Sequence, residues 1–303
     1  MEYIVETKRL TKKFGKEMAV ADLEMNIPKG EIYGFLGPNG AGKTTTIRML
    51  LGLMRPTYGS IQLFGKDLKK ERIDILKRVG SLVENPSYYP HLTARENLEA
   101  IRKILDVPKK RIDDVLDLVR LQGAANKKVK GFSLGMKQRL GIAASMLHKP
   151  ELLILDEPTN GLDPSGIIEM RQLIKSLPQQ YGMTVVISSH LLSEIDQMAT
   201  TVGVVSRGKM IFQDSIEAMR TFAKPSIQLK TNDNEAAWRV LLANGQRADL
   251  TENSVAIHMQ GDERVAATVK YLIEQGLSIY RVEEEKRSLE HIFLEMTKEE
   301  QTG

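Results

Sequence analysis

An α/β fold is predicted by two observations in the 303-residue sequence. A glycine-rich segment at Gly37 to Thr44, GPNGAGKT, lies between a strand-like run and a helix-like run. Short apolar runs at Leu152 to Leu155, Val185 to Ser188 and Val202 to Ser206 have the length and character of buried strands. Upstream of the loop, Glu31-Ile32-Tyr33-Gly34-Phe35-Leu36 reads as a strand. Downstream, Lys43 to Leu53 places Ile47, Leu50 and Leu51 at helical spacing. Strand, glycine-rich loop and helix, in that order, are the setting in which G-x-x-x-x-G-K-[ST] binds phosphate. Gly37, Gly40 and Gly42 let successive N–H groups face an anion, and the helix N-terminus adds its positive end. Lys43 is then placed to reach the terminal phosphates of a nucleotide, and the Thr44 hydroxyl to ligate Mg²⁺. The candidate nucleotide contacts are Gly37, Pro38, Asn39, Gly40, Ala41, Gly42, Lys43, Thr44 and Thr45.

Before the loop, from Thr7 to about Leu63, short apolar runs alternate with turns at Gly15, Pro28-Lys29-Gly30 and Tyr58-Gly59-Ser60, as in a sheet edge feeding the loop. Past Pro90 the pattern becomes helical. Thr93-Ala94-Arg95-Glu96 forms a capping box, with Leu98, Ile101, Ile104 and Leu105 expected on one face. Pro108 opens a second helix carrying Ile112, Val115, Leu116 and Val119, and Gly123 ends it. A helical insertion within an α/β core is expected. Strands return from Leu152, and Arg207-Gly208 turns into a hairpin strand at Lys209 to Phe212. From Pro225 a separate small α+β domain is expected. It has a strand at Ser226–Thr231, a helix at Glu235–Ala243, a strand at Ser254–Met259, a helix at Glu263–Gln275 and a strand at Ser278–Glu283, closed by an amphipathic stretch at Leu289–Met296.

Apolar residues at 42% and charged residues at 27% are ordinary for a globular chain. The longest apolar runs are strand-sized, far below the roughly 18 residues of a membrane span. The first residues, Met1 to Glu6, lack the basic and apolar regions of a secretory signal, and a cytoplasmic location is expected. The absence of cysteine excludes disulfides and thiolate metal sites. A net charge of +4 is small for this size and reads as a solvated mixed surface, with no nucleic-acid partner expected.

Leu152-Leu153-Ile154-Leu155-Asp156-Glu157 is a buried strand ending in two carboxylates. An acid in this position completes the Mg²⁺ site of phosphate-loop proteins, which assigns Asp156. Glu157, leaving the strand in the opposite direction, can face an attacking water. At Phe132-Ser133-Leu134-Gly135-Met136-Lys137-Gln138, Ser133 is a good N-cap and Gly135 leaves room for a phosphate; by itself this reads first as a capped structural helix. His190 follows the strand Thr184–Ser188, at an edge that faces the ligand crevice of a parallel sheet. It can bond a γ-phosphate or orient water; standing alone, the position reads as a surface histidine capping a helix.

In this order, the motifs resemble the nucleotide-binding subunit of ATP-binding-cassette transporters from about residue 4 to residue 220. Gly37 to Thr44 corresponds to the Walker A loop, Ser133 to Gln138 to the signature segment, and Leu152 to Glu157 to Walker B with its catalytic glutamate. Asn160-Gly161-Leu162-Asp163-Pro164 corresponds to the D-loop and Ser189-His190 to the switch histidine. Phe14, a core residue by spacing, falls where the family stacks a ring on adenine. The resemblance implies a P-loop NTPase core over residues 1–220, with a helical subdomain at about 86–147, and an accessory domain over 221–303. It also implies ATP hydrolysis with Mg²⁺, and a head-to-tail homodimer in which Ser133 and Gly135 of one copy cap ATP on the other. Lys43, Glu157 and His190 are its catalytic residues, Asp163 and Phe14 further nucleotide contacts. A separate multi-span permease would place the chain on the inner face of the membrane.

Two positions depart from the family pattern. Leu134 and Met136 stand where the usual signature has glycine and glutamine. Glu84, within Glu84-Asn85-Pro86-Ser87-Tyr88-Tyr89-Pro90, stands where the family places a glutamine that offers a neutral carbonyl to the metal. A carboxylate binds a hard cation more strongly, making Glu84 a metal candidate; the other reading is a solvent-facing loop acid. Glutamate here resembles the cassettes of bacitracin and lantibiotic self-protection exporters. The alternatives are a soluble cassette ATPase acting on nucleic acid or ribosomes, and an importer subunit. A single Walker A, the lack of a heptad run and the helix-rich order after Pro225 favour the exporter.

Overall fold

The computed structural model describes residues 2–83, 88–222, 226–251, 253–257, 261–285 and 293. They form two compact units divided between Ile216 and Glu217.

The first unit begins with an antiparallel layer. Strand β1 (Tyr3–Phe14) pairs with β2 (Glu17–Leu23) and β3 (Asn26–Pro28). After β4 (Ile32–Leu36) and helix α1 (Lys43–Leu50) the chain returns to this layer as β5 (Tyr58–Leu63) and β6 (Lys66–Asp67). A short α2 (Arg72–Leu76) leads into β7 (Val79–Leu82). Next come α3 (Ala94–Leu105), α4 (Lys110–Leu118) and α5 (Leu134–Ser145), which pack together. Their buried residues include Leu98, Ile112, Val115, Leu116 and Leu140. The Thr93–Glu96 capping box is formed, satisfying N–H groups at both ends of the first turn. Ile104 and Leu105 do not join the buried face: Ile104 is 84% exposed, and α3 buries Ala94, Asn97 and Leu98 instead.

The chain then alternates β8 (Leu152–Asp156), α6 (Pro164–Tyr181), β9 (Thr184–Ser189), α7 (Leu192–Asp196), β10 (Thr201–Ser206) and β11 (Lys209–Ser215), with α8 (Ile216–Phe222) following. The second sheet has the order β11-β10-β4-β9-β8-β7, parallel except for the hairpin edge β11. Its central strands β4 and β9 are buried at every residue, as strands covered on both faces must be. One core joins Leu10, Leu23 and Leu63 of the antiparallel layer, Ile47 and Leu50 of α1, and Phe35, Ile154 and Val186 of the parallel sheet. Helix α1 is thereby fixed against both, and the C-terminal ends of β4, β8 and β9 open beside its first turn. Tyr33 is wholly buried yet satisfied, its hydroxyl donating to Gln213 Oε1 at 2.8 Å.

In the second unit, β12 (Ser226–Thr231), α9 (Asn234–Ala243), β13 (Ala248–Leu250), β14 (Val255–Ile257), α10 (Asp262–Glu274) and β15 (Ile279–Glu285) form a four-stranded antiparallel sheet of order β13-β14-β12-β15. This is the split β-α-β-β-α-β arrangement, one strand more than the sequence reading has. The core here is Leu229, Leu241, Val255, Ile257 and Leu272, with Trp238 packed against it and donating its indole N–H to the Ala248 carbonyl at 3.0 Å. The expected stretch at Leu289–Met296 falls outside the described residues except for Phe293, which is buried. No helix among the described residues is long and apolar enough to cross a membrane.

Candidate active site

The loop between β4 and α1 is held by close backbone contacts. A Cβ on Gly37 would come within 2.4 Å of the Val205 carbonyl oxygen on β10, so only glycine lets the loop lie against that strand. Gly42 sits at φ +101°, a conformation L-residues rarely adopt, and a Cβ there would meet the Ala19 carbonyl oxygen at 2.4 Å. Gly42 is also the N-cap of α1 and offers no capping side chain, leaving the helix start to the loop and what it holds.

Lys43, only 6% exposed, donates from Nζ to the carbonyls of Gly37 at 2.7 Å and Pro38 at 3.2 Å. Its ammonium lies 3.7 Å from Glu157 Oε1. Burial pulls the Lys43 pKa below the ordinary lysine value, and the carboxylates of Glu157 and Asp156 act against that pull. The Thr44 hydroxyl donates to Asp156 Oδ2 at 3.0 Å, bringing two hard oxygen donors together at the end of β8. This pair suits Mg²⁺, which is bound by one or two protein oxygens alongside phosphate oxygens and water. No cluster of three or more acidic or histidine ligands occurs among the described residues.

Glu157 adopts a left-handed backbone conformation, φ +47°. From there Oε1 reaches Lys43 and lies 3.3 Å from His190 Nδ1, while Oε2 accepts from Asn160 Nδ2 at 3.2 Å. The His190 tautomer carrying its proton on Nδ1 donates to the carboxylate. Lys43, Thr44, Asp156, Glu157 and His190 are thus gathered at the C-terminal edge of the parallel sheet, where open α/β folds bind ligands. The predicted residues on other segments stand apart from this group. Ser133 is the exposed N-cap of α5, accepting from Met136 N at 3.3 Å, and Gly135 faces Leu162 of the segment after β8. Asp163 caps α6 and accepts from Ser165 Oγ and Gly166 N, contacts that hold its carboxyl below the usual range. Phe14 is not a core residue: it is 47% exposed on β1, with the Lys12 ammonium 5.2 Å from its ring centre. Glu84 lies outside the described residues.

Several polar residues behind the acids were missed from sequence. Ser188 contacts both Asp156 and Glu157. Glu194, buried on α7, accepts from Thr159 Oγ1 at 2.7 Å and Ser189 Oγ at 2.9 Å, joining the segment after β8 to the one after β9. The signal for Ser188 was its place at the end of a buried strand: the parallel register sets it opposite Asp156.

The sequence matches the ABC transporter family over residues 20–160. It is 45% identical to the bacitracin transport ATP-binding protein BcrA of Bacillus licheniformis, covering 98% of both chains. It is 39% identical to BcrA of Enterococcus faecalis over 97% of this chain and 96% of that one. Identity to the lantibiotic transport ATP-binding protein SrtF of Streptococcus pyogenes is 44%, over 69% of this chain and 90% of the other. Among solved structures, an ATP-binding subunit of an ABC transporter superposes with a TM-score of 0.64 at 26% identity, covering 72% of this chain and 92% of that one. A cassette solved as a dimer in a post-hydrolysis state with ADP and Pi superposes with a TM-score of 0.63 at 26% identity, covering 70% and 98%. With its phosphate loop, paired acids and histidine on a P-loop fold, the chain belongs to the ATP-binding-cassette family and is an ATPase of the ABC transporter ATP-binding type.

Proposed function

We propose that this ATPase drives export of peptide antibiotics of the bacitracin and lantibiotic class, as the energising subunit of a transporter whose membrane-spanning part is a separate chain. The observation that carries the reading is the convergence of Lys43, Thr44, Asp156, Glu157 and His190 on one edge, in a chain whose full-length relatives include bacitracin transport ATP-binding proteins. The chain would work at the inner face of the membrane, against that partner.

In hydrolysis, the Lys43 ammonium sits beside the transferring phosphoryl group and offsets its charge. Glu157 accepts a proton from the attacking water, held in place by Lys43, Asn160 and His190. Thr44 and Asp156 would hold Mg²⁺, which neutralises charge on the phosphate oxygens when bound. His190, 36% exposed in its side chain, is positioned to bond the γ-phosphate while touching Glu157. Ser133, Leu134, Asn160 and Asp163 are exposed, which supports a second copy of the chain placing Ser133 and Gly135 over ATP bound here. Phe14 offers an exposed ring for the adenine.

Glu157→Gln should keep ATP binding, lower hydrolysis roughly 10²- to 10⁴-fold and run as a dimer on size-exclusion chromatography in saturating ATP. A variant that hydrolyses ATP at the wild-type rate, or stays monomeric in ATP with its permease present, contradicts the reading. Loss of the chain should sensitise its host to bacitracin or a lantibiotic; unchanged susceptibility contradicts the substrate class.

A further inference from the structure

Strands β8 and β9 end together, with Asp156 opposite Ser188 in the register. Ser188 is wholly buried. Its hydroxyl donates to Asp156 Oδ1 and accepts the Glu157 backbone N–H at 2.9 Å. The other oxygen of Asp156 accepts from Thr44 at 3.0 Å. A serine hydroxyl has one proton and two acceptor lone pairs. Here the proton goes to one acid and a lone pair to the backbone of the next.

Each bond has a separate effect. The first clamps the Asp156 carboxylate from the side opposite Thr44, so its plane is set by two hydroxyls on different elements. The second holds the peptide entering Glu157, whose left-handed backbone aims its carboxylate at Lys43, His190 and Asn160. Without it, that part-buried N–H has lost its partner at a residue in a sparsely populated conformation. One side chain outside every motif of the site thus fixes both acids relative to each other and to the loop.

We infer that Ser188 is a positioning residue for ATP hydrolysis, holding Asp156 and Glu157 in their working arrangement through its single hydroxyl. The inference rests on the reading of these two acids as the metal-binding and water-activating groups. A misplacement of about 1 Å costs on the order of 100-fold in rate. Ser188→Ala should therefore lower kcat roughly 10- to 100-fold, with the Kd for ATP measured directly without Mg²⁺ unchanged within about twofold. Ser188→Thr retains a hydroxyl and should return kcat to within roughly threefold of wild type. In a Glu157→Gln background the part of the effect that runs through the Glu157 carboxylate is already lost, so Ser188→Ala should lower the residual rate by less than it lowers the wild-type rate, leaving what runs through Asp156.

Rates are normalised to the fraction of protein that binds ADP, which removes any loss through misfolding. Wild-type kcat in Ser188→Ala beside an inactive Glu157→Gln overturns the inference alone. A full Ser188→Ala effect persisting in the Glu157→Gln background also overturns it, since the serine then does not hold Glu157 in its working arrangement. Undiminished hydrolysis by Glu157→Gln itself overturns the underlying reading of the site.

Discussion

Lys43 is a buried cation whose charge is needed for phosphate but disfavoured by its surroundings. Its pKa is depressed, so the unfolded chain binds this proton more tightly, and folding stability rises with pH from the folded value toward the ordinary 10.5. Nucleotide affinity has the opposite sign, falling across the same window as the ammonium deprotonates. Because the Glu157 carboxylate raises the Lys43 pKa, Glu157→Gln should move that fall to lower pH. Titrating a fluorescent ATP analogue between about pH 7 and 10 checks this; superimposable curves for wild type and variant would contradict it. Most residues of this cluster were legible in the sequence because phosphate chemistry restricts loop and strand end to few side-chain types. Ser188 was not, since serine at a strand end has no distinctive chemistry until the register places it beside Asp156. The exposure of Phe14 was not legible from spacing. Its alternation along β1 suits a core position, but the side chain projects from the layer with Lys12 over it.

At the scale of elements, the phosphate loop and β10 are mated through Gly37. Gly37→Ala puts a methyl group 2.4 Å from the Val205 carbonyl oxygen, a backbone atom that cannot swing away as a side chain can. The loop or the strand must shift, at a cost of about 1–3 kcal/mol. Weakened ATP binding together with a lower melting temperature is expected, measured by nucleotide titration and thermal unfolding; wild-type values for both would show the contact to be slack. The helical and parallel-strand elements follow from periodicity, yet two features escaped it. Ile104 and Leu105 carry the spacing of a buried stripe, but the far end of α3 has little packed against that side, and Ile104 faces water. Strand β13 is three residues with an acid in the middle, too short for alternation to register. It exists through pairing, Ala248 opposite Ile257 and Leu250 opposite Val255, and through the Trp238 bond to its backbone.

For the whole molecule, two cores built from separate residues mean two cooperative units. Only the first carries the phosphate loop and both acids. Calorimetry should resolve two unfolding transitions, and nucleotide at a hundredfold above its Kd should stabilise one of them by about 2.7 kcal/mol. For a unit of this size that is roughly 5 to 10 °C, with the other transition unmoved. A single transition that shifts as a whole with nucleotide would show the units to be energetically one. The sequence announces the division only through a change of pattern near Pro225; the core of the second unit depends on pairings no local signal reveals.

The left-handed backbone at Glu157 bears on how this position can drift. An L-residue pays about 1–2 kcal/mol to sit there, and asparagine or glycine would occupy it more comfortably. Selection for a sturdier protein therefore pulls away from glutamate, and only selection for turnover holds it. Copies of this chain released from the need to hydrolyse ATP should lose Glu157 early, while glycine at 37, bound by packing, persists.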